Sequence, residues 1–253
     1  MAGMIIEVRD LVKRYGDFEA VKGISFDVSE GEIFGLLGPN GAGKSTTLEI
    51  METLRSKTSG TVTVGGFSLD TDPYAIKRII GVQLQTSGFY PGLRLTELIS
   101  LFNGLYNEKA DAAELLRLVN LGDKADSRFK DLSGGQKQRF SIATTLINKP
   151  RIIFLDEPTT GLDPQARRNL WDLIRDIRDK GTTVIITTHY MDEAEILCDR
   201  VAIMDEGRII AIDSPSMLID RLLGTGFERA REVKAANLED VFIHLTGHAI
   251  RED

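Results

Sequence analysis

Cysteine is almost absent from this chain of 253 residues. The lone Cys198 excludes any disulfide within the chain, which fits a reducing compartment, and it is expected to be a small buried apolar residue. Long apolar runs are also missing, and the first residues lack the pattern of a secretory signal peptide. Any association with a membrane is therefore expected to come through a partner.

Basic residues are in the minority, since 31 Lys and Arg face 38 Asp and Glu and give a net charge of −7. A protein that coats nucleic acid regardless of sequence needs a basic face, so this composition argues against that class and against a nucleic-acid partner. With 42% hydrophobic residues, the chain is long enough for one large domain, or for a core that carries a lobe.

The pattern of apolar residues changes twice along the chain. The first third combines antiparallel hairpins with one strand–loop–helix unit, and "GTVTVGGFSLD" predicts a hairpin around Gly65 and Gly66. The middle repeats apolar residues at three- and four-residue spacing, which indicates helices. Apolar strands such as "RIIFLDE" and "TTVIITTH" then alternate with helices. This predicts an α/β fold, with a mostly parallel sheet covered on both faces, an antiparallel β part and an inserted helical lobe.

We therefore expect one domain over residues 1–253. Residues 1–86 and 146–212 would form the α/β core with its antiparallel part, and 87–145 the helical lobe. Residues 213–253 would form a helical tail, in which Ser214 caps a helix that begins at Pro215. A second tail segment, "NLEDVFIHLTG", has the spacing of a helix capping box.

A glycine-rich loop, "GPNGAGKST" at 38–46, follows a predicted strand and opens a predicted helix. In that context the spacing predicts a phosphate-binding loop, because glycines let backbone N–H groups wrap a phosphate. Lys44 would reach the β- and γ-phosphates, and Ser45 would be a ligand of Mg²⁺. The predicted site comprises Gly38, Pro39, Asn40, Gly41, Ala42, Gly43, Lys44, Ser45 and Thr46.

Polar residues end several of the predicted strands, where ligands sit in open α/β sheets. Asp156 suits a Mg²⁺ shell and Glu157 suits activation of an attacking water, although an apolar strand that ends in Asp-Glu can also be a solvated edge. His189 ends another strand and could contact the γ-phosphate or be a surface residue. Gln85 ends a strand before the lobe, with Gln83 on the same face as a rival candidate.

A second stretch, "LSGGQKQ" at 132–138, also places a serine and glycines at the start of a predicted helix. Such a helix start attracts an anion. It lies far along the chain from Lys44 and on the predicted lobe, so the sequence contains two candidate anion sites. Another open choice concerns Tyr15, which could stack on a base or pack on its own hairpin.

Taken together, "GPNGAGKST", "LSGGQ", "LDEPTTGLD" and "TTH" resemble the ATP-binding-cassette (ABC) ATPases in order and spacing, from Ile5 to about Leu245. The resemblance implies bound ATP and Mg²⁺, with Tyr15 stacked on adenine and Gln85 linking Mg²⁺ to the lobe. It implies that Glu157 and His189 act in hydrolysis. It also implies that Ser133, Gly134, Gly135 and Gln136 close over the γ-phosphate of a second copy in a head-to-tail dimer, with Asp163 at the interface.

One cassette without a membrane span or a long coiled coil is typical of a transporter subunit that works on separate permease subunits at the inner face of the cell membrane. Its sequence looks most like the bacterial and archaeal exporter group. The alternatives are a soluble ATP-driven assembly or regulatory switch and, more remotely, a small-molecule phosphotransferase, in which "LSGGQ" would have no role. The segment 86–95 could receive the permease through Phe89 and Tyr90, or both aromatics could be local core.

Overall fold

A computed structural model describes residues 3–83 and 88–227. Its larger sheet has six strands in the order β10-β9-β3-β8-β7-β6. The strands are β3 (Ile33–Leu37), β6 (Ile80–Gln83), β7 (Ile152–Asp156), β8 (Thr183–Thr188), β9 (Arg200–Asp205) and β10 (Arg208–Asp213). All neighbours are parallel except β9 and β10. The mostly parallel sheet predicted from the apolar strands is confirmed.

The smaller sheet is antiparallel, with four strands in the order β2-β1-β4-β5. Its strands are β1 (Met4–Tyr15), β2 (Phe18–Ser29), β4 (Ser59–Val64) and β5 (Phe67–Ser68). Gly65 and Gly66 both have positive φ angles, 61° and 87°, and connect Val64 to its partner Phe67. The predicted two-glycine hairpin is therefore confirmed, since two such residues form the tight turn that matches strand twist.

Eight helices occur within the described ranges. They are α1 (Lys44–Met51), α2 (Pro73–Ile79), α3 (Leu95–Tyr106), α4 (Ala112–Leu118), α5 (Gly134–Thr145), α6 (Pro164–Asp179), α7 (Met191–Leu197) and α8 (Pro215–Gly224). Short 3-10 turns at Gly122–Lys124 and Phe129–Asp131 join α4 to α5. The helical content of the predicted lobe is thus confirmed.

The central strand β3 supplies both hydrophobic cores, because successive side chains of a strand point to opposite faces. Ile33 and Leu37 pack with the apolar faces of α3 to α7, whereas Phe34 and Leu36 pack with α1 and the smaller sheet. The parallel sheet is therefore covered on both faces, as predicted. The core on the helical side also includes Cys198, which is free and buried as expected.

An aromatic cluster holds the lobe together. The ring of Phe89 lies 4.8 Å from that of Phe129, 5.3 Å from Phe140 and 5.9 Å from Phe102. The neighbouring Tyr90 is 65% exposed. Each of the two alternatives given for this pair therefore holds for one residue: Phe89 belongs to the local core, and Tyr90 is a surface residue.

Two compact units are distinguished, Met1–Leu218 and a second that begins at Ile219, of which 219–227 is described. At the start of α8, the backbone N–H of Met217 donates to Ser214 Oγ at 3.3 Å, so the predicted cap is present. The segment "NLEDVFIHLTG" lies outside the described residues, and the domain boundaries given above remain a prediction. No helix in the described part is both long and apolar enough to cross a membrane.

Candidate active site

Two glycines of the loop that connects β3 to α1, Gly38 and Gly43, cannot be replaced without clashes. A Cβ at Gly38 would lie 2.2 Å from the carbonyl oxygen of Met204, and one at Gly43 would lie 2.7 Å from that of Ala20. Gly43 also has a φ of 97°, a left-handed conformation that L side chains rarely adopt. It precedes α1 directly, so the loop delivers backbone N–H groups to the helix start.

Lys44 is buried at this helix start, with only 4% of its surface exposed. Its Nζ donates to the carbonyl oxygens of Gly38 at 2.8 Å and Pro39 at 3.0 Å, and it lies 3.8 Å from Oε1 of Glu157. Burial lowers the pKa of Lys44, while the charges of Glu157 and Asp156 oppose this shift. Further negative charge in the cleft, such as phosphate, would favour the ammonium form in the same way.

The two adjacent carboxylates at the end of β7 point to different partners. Asp156 Oδ1 accepts from Ser45 Oγ at 3.2 Å and also from Thr187 Oγ1. Glu157 has a φ of 47°, an uncommon conformation for a side chain of this size. Its backbone N–H donates to the carbonyl oxygen of Thr187 at 3.2 Å and to Oγ1 at 3.0 Å. These contacts fix the backbone of Glu157 in the conformation that directs its side chain away from that of Asp156.

The Glu157 side chain lies between two nitrogen groups, one from Lys44 at the start of α1 and one from His189, which directly follows β8. Its Oε1 is 3.3 Å from Nδ1 of His189 as well as 3.8 Å from Nζ of Lys44, and only 10% of the side chain is exposed. Its Oε2 accepts from Thr160 Oγ1 at 3.3 Å. The His189 contact lacks the alignment of a hydrogen bond, so it is a close approach of the two groups. Because β3, β8 and β7 are neighbours in the sheet, the residues that follow these strands meet at one edge.

A cleft of about 460 Å³ opens above these groups. Its lining combines the phosphate loop, Glu157 and an apolar wall from the first hairpin. The lining residues are Tyr15, Phe18, Ala20, Asn40, Gly41, Gly43, Lys44, Ser45, Thr46 and Glu157. Tyr15 lines this cleft, and Nζ of Lys13 and the guanidinium carbon of Arg55 lie 5.0 Å and 5.4 Å from its ring centroid, so stacking on a ligand and packing within the protein both remain predictions.

The second candidate anion site, residues 132–138, which we call the signature stretch, contributes its residues 133–136 to a different cavity, of about 430 Å³. Ser133 caps α5: its Oγ accepts from the backbone N–H of Gln136 at 3.3 Å, and the Gln136 side chain accepts from the backbone N–H of Ser133 at 2.9 Å. Asp163 caps α6 in the same cavity by accepting from the backbone N–H of Ala166 at 2.8 Å. The two cavities share no lining residue.

The Ser45–Asp156 pair fits a hard divalent cation, because a hydroxyl and a carboxylate are oxygen ligands of the kind that Mg²⁺ takes. The described residues contain no group of three or more His, Cys, Asp or Glu that could hold a metal. Mg²⁺ at such sites is typically bound by one or two carboxylates together with substrate phosphates, which agrees with this sparse set. The third predicted ligand, Gln85, lies outside the described residues, and its rival Gln83 is buried on β6.

The structure thus brings together Lys44, Ser45, Asp156, Glu157 and His189, and separates them from Ser133 to Gln136. Phe18, Thr160 and Thr187 were not predicted from the sequence as site residues. Phe18 could have been found from the two-residue turn that makes it the cross-strand partner of Tyr15. The two threonines carry no signal in a sequence alone, because Thr is common in strands and turns.

Comparison with known proteins matches the same regions. The sequence model described as "ABC transporter" matches residues 21–160. The Nod factor export ATP-binding protein I of Burkholderia orbicola (strain AU 1054) is 42% identical, over 98% of this chain and 98% of that protein. The linearmycin resistance ATP-binding protein LnrL of Bacillus subtilis (strain 168) is 40% identical, over 87% of this chain and 72% of its own.

A similar solved structure is the dimeric post-hydrolysis state of the ATP-binding cassette MJ0796 bound to ADP and Pi. It has a TM-score of 0.73 and 28% sequence identity, and the match covers 83% of this chain and 98% of that one.

Proposed function

Since the chain belongs to the ABC transporter family and is an ATP-binding, ATP-hydrolysing cassette, we propose that it is the motor subunit of an exporter. It binds two MgATP in a head-to-tail dimer and drives export through separate permease subunits. The observation that carries the proposal is the separation of Lys44 and Ser133 into two cavities without a shared residue. Each cavity supplies half of a nucleotide site.

The cleft of Lys44 holds the nucleotide. Tyr15 stacks on the adenine, with Phe18 beside it, and the loop at 38–46 wraps the phosphates with its backbone N–H groups. The Lys44 ammonium neutralises the β- and γ-phosphates. Ser45, Asp156 and Gln85 would hold Mg²⁺, which when bound would neutralise charge on the phosphates.

Glu157 is the general base of hydrolysis on this proposal. Its carboxylate accepts the proton of the attacking water, as the bond between the γ-phosphorus and the bridging oxygen breaks to give ADP and phosphate. Thr160 and the backbone contacts to Thr187 hold this carboxylate in place. His189, at 3.3 Å from it, donates to the γ-phosphate and orients the water.

The dimer supplies the other half of each site. Ser133, Gly134, Gly135 and Gln136 of one copy face the γ-phosphate bound by Lys44 of the other, with both Asp163 loops at the interface. A two-fold axis generates two equal sites from one interface. ATP is then part of the contact between the copies, and hydrolysis releases it.

Transport requires partners that the chain itself does not contain. Two relatives that it resembles are named for Nod factor export and linearmycin resistance. By analogy, this cassette works at the cytoplasmic face of the cell membrane, where it is held by its permease subunits. Tyr90, exposed beside the lobe, is a candidate contact for a permease helix.

The proposal is tested with Glu157→Gln, which keeps the shape of the side chain and removes the base. With MgATP this variant should hydrolyse at least ~100-fold more slowly, because loss of a general base costs 10²–10⁴-fold. It should also accumulate as a dimer in size-exclusion chromatography. The matched control is Glu195→Gln, the same change at an exposed position of α7, which should behave as the wild type. A Glu157→Gln protein that stays monomeric in MgATP at all concentrations would contradict the dimer.

A further inference from the structure

One face of α6 contacts the segment that follows His189. Arg167, Trp171 and Arg175 are spaced four residues apart, so they share one side of the helix. Each of them contacts a residue between 190 and 196, as described below. This face, which we call the α6 stripe, therefore joins α6 to α7 along the length of α7.

The first member of the stripe, Arg167, contacts Tyr190, the residue next to His189. Nη1 of Arg167 lies 3.2 Å from Oδ2 of Asp192, and its guanidinium carbon lies 4.6 Å from the ring centroid of Tyr190. The Tyr190 ring in turn lies 4.2 Å from the ring of His189. A continuous set of contacts thus leads from Arg167 to His189.

The second member fixes α7 from within the core. Nε1 of Trp171 donates to Oε1 of Glu193 at 3.0 Å, and Glu193 is fully buried. A buried carboxyl group needs a hydrogen-bond partner, since leaving a buried polar group unsatisfied is unfavourable. The start of α7 is therefore held in one position relative to α6.

The order of the contacts along α6 and α7 places Asp163, at the start of α6, near the residues around His189, at the start of α7. Arg167 lies one turn after Asp163, to whose carbonyl oxygen its backbone N–H donates at 3.0 Å. Arg175, two turns later, donates to the carbonyl oxygen of Ile196 at 2.7 Å, near the end of α7. Contacts therefore progress in the same direction along α6 and α7. The end of α6 that carries Asp163 is the end that holds the residues around His189.

We propose that Arg167 is a positioning residue for ATP hydrolysis. It holds Tyr190 and Asp192 so that the His189 ring stays against Glu157, and it ties this ring to the helix that begins after Asp163. A displacement of the Asp163 loop by the second copy of the chain would then reach His189 through Arg167. This inference rests on the role proposed above for His189.

The test compares Arg167→Ala with Arg175→Ala, which removes a contact of the same stripe far from His189. Steady-state ATPase assays should show kcat reduced about 10- to 100-fold for Arg167→Ala, since small misplacements of a reacting group cost up to about 10²-fold. The KM for ATP should be unchanged, because Arg167 does not line the nucleotide cleft. Arg175→Ala should keep the wild-type kcat, and equal kcat values in the two variants would overturn the inference.

A double-mutant cycle with His189→Ala separates positioning from a general structural effect. If Arg167 acts through His189, adding Arg167→Ala to His189→Ala should leave kcat unchanged, because coupled residues are not additive. Independent, multiplicative losses would overturn the inference and leave the role of His189 intact. A normal kcat in His189→Ala alone would instead overturn the proposed role of His189. Should Arg167→Ala fold poorly, Arg167→Lys replaces it in the cycle, since Lys keeps the charge opposite Asp192 and loses the planar face against Tyr190.

Discussion

Whether the signature stretch serves the partner's nucleotide can be decided with one residue, Gly134. Apart from its chain neighbours and the backbone of its own helix, no described atom lies within 4 Å of a Cβ built at this position, and its φ angle is not positive. At Gly135 a Cβ would lie 3.1 Å from Cβ of Ala166, and the Ser133 side chain is engaged as the helix cap. An aspartate in the first helical turn also suits the helix dipole. Gly134→Asp should therefore fold normally and present a carboxylate to any phosphate that approaches α5.

The experiment mixes this variant with Lys44→Ala, both in a Glu157→Gln background so that bound ATP persists. Each variant alone forms only damaged composite sites. The mixed dimer has one composite site with both defects and one intact composite site. The intact site combines Lys44 of the Gly134→Asp chain with Gly134 of the Lys44→Ala chain. A ligand that binds only the dimer stabilises it by about 2.7 kcal/mol at a hundred times its dissociation constant, which is roughly 100-fold in association.

Differently tagged copies make the result visible by pull-down with and without MgATP. The mixture should show an ATP-dependent pair that neither variant shows by itself. If the signature served the phosphate of its own chain, both partners would carry a damaged site, and mixing would give no ATP-dependent gain. That outcome would refute the head-to-tail arrangement and the assignment of the second cavity to a partner's phosphate.

Tyr90→Ala should weaken co-purification with the permease while basal ATPase persists. Phe89→Ala should instead lower the free energy of unfolding by about 3 kcal/mol or more, because its aromatic contacts are lost. Equal effects of the two changes on co-purification, after correction for folded protein, would count against a coupling role for Tyr90. Gly38→Ala should abolish ATP binding in a filter assay, because its Cβ would meet a backbone oxygen at 2.2 Å, and normal affinity would contradict the described loop. Burial raises the pKa of Glu52 from 4.5 to about 8, so the folded state favours its protonated form. The free energy of unfolding should therefore fall as pH rises from about 4.5 to 8, by up to about 1.4 kcal/mol per pH unit. Glu52→Gln should remove this slope in denaturant titrations without nucleotide or Mg²⁺, and an unchanged slope would show that Glu52 is not its source.

The site could be predicted from the sequence where its residues are close together in the chain or at the ends of predicted strands. The glycines and Lys44 lie within nine residues, and the strand ends that carry Asp156 and His189 follow from the alternation of apolar strands and helices. Side-chain packing in loops could not be predicted in this way. Phe89 and Tyr90 are adjacent in a loop without periodicity, and only the position of the lobe decides that the first is core and the second is exposed. Thr187 likewise acquires its role from the pairing of β8 with β7, which brings it beside Asp156.

The cap of α5 has a consequence for hydrogen-bond direction. A serine hydroxyl has one proton to donate and two lone pairs to accept with. The backbone N–H of Gln136 uses one lone pair of Ser133 and fixes the position of the oxygen, which leaves the proton available for an acceptor outside the helix. Ser133 can therefore start its own helix and donate to a phosphate oxygen of another chain at the same time. Threonine keeps both capacities and alanine loses both together, so in the proposed dimer the stability of α5 and the affinity between the two copies would depend on the same oxygen atom.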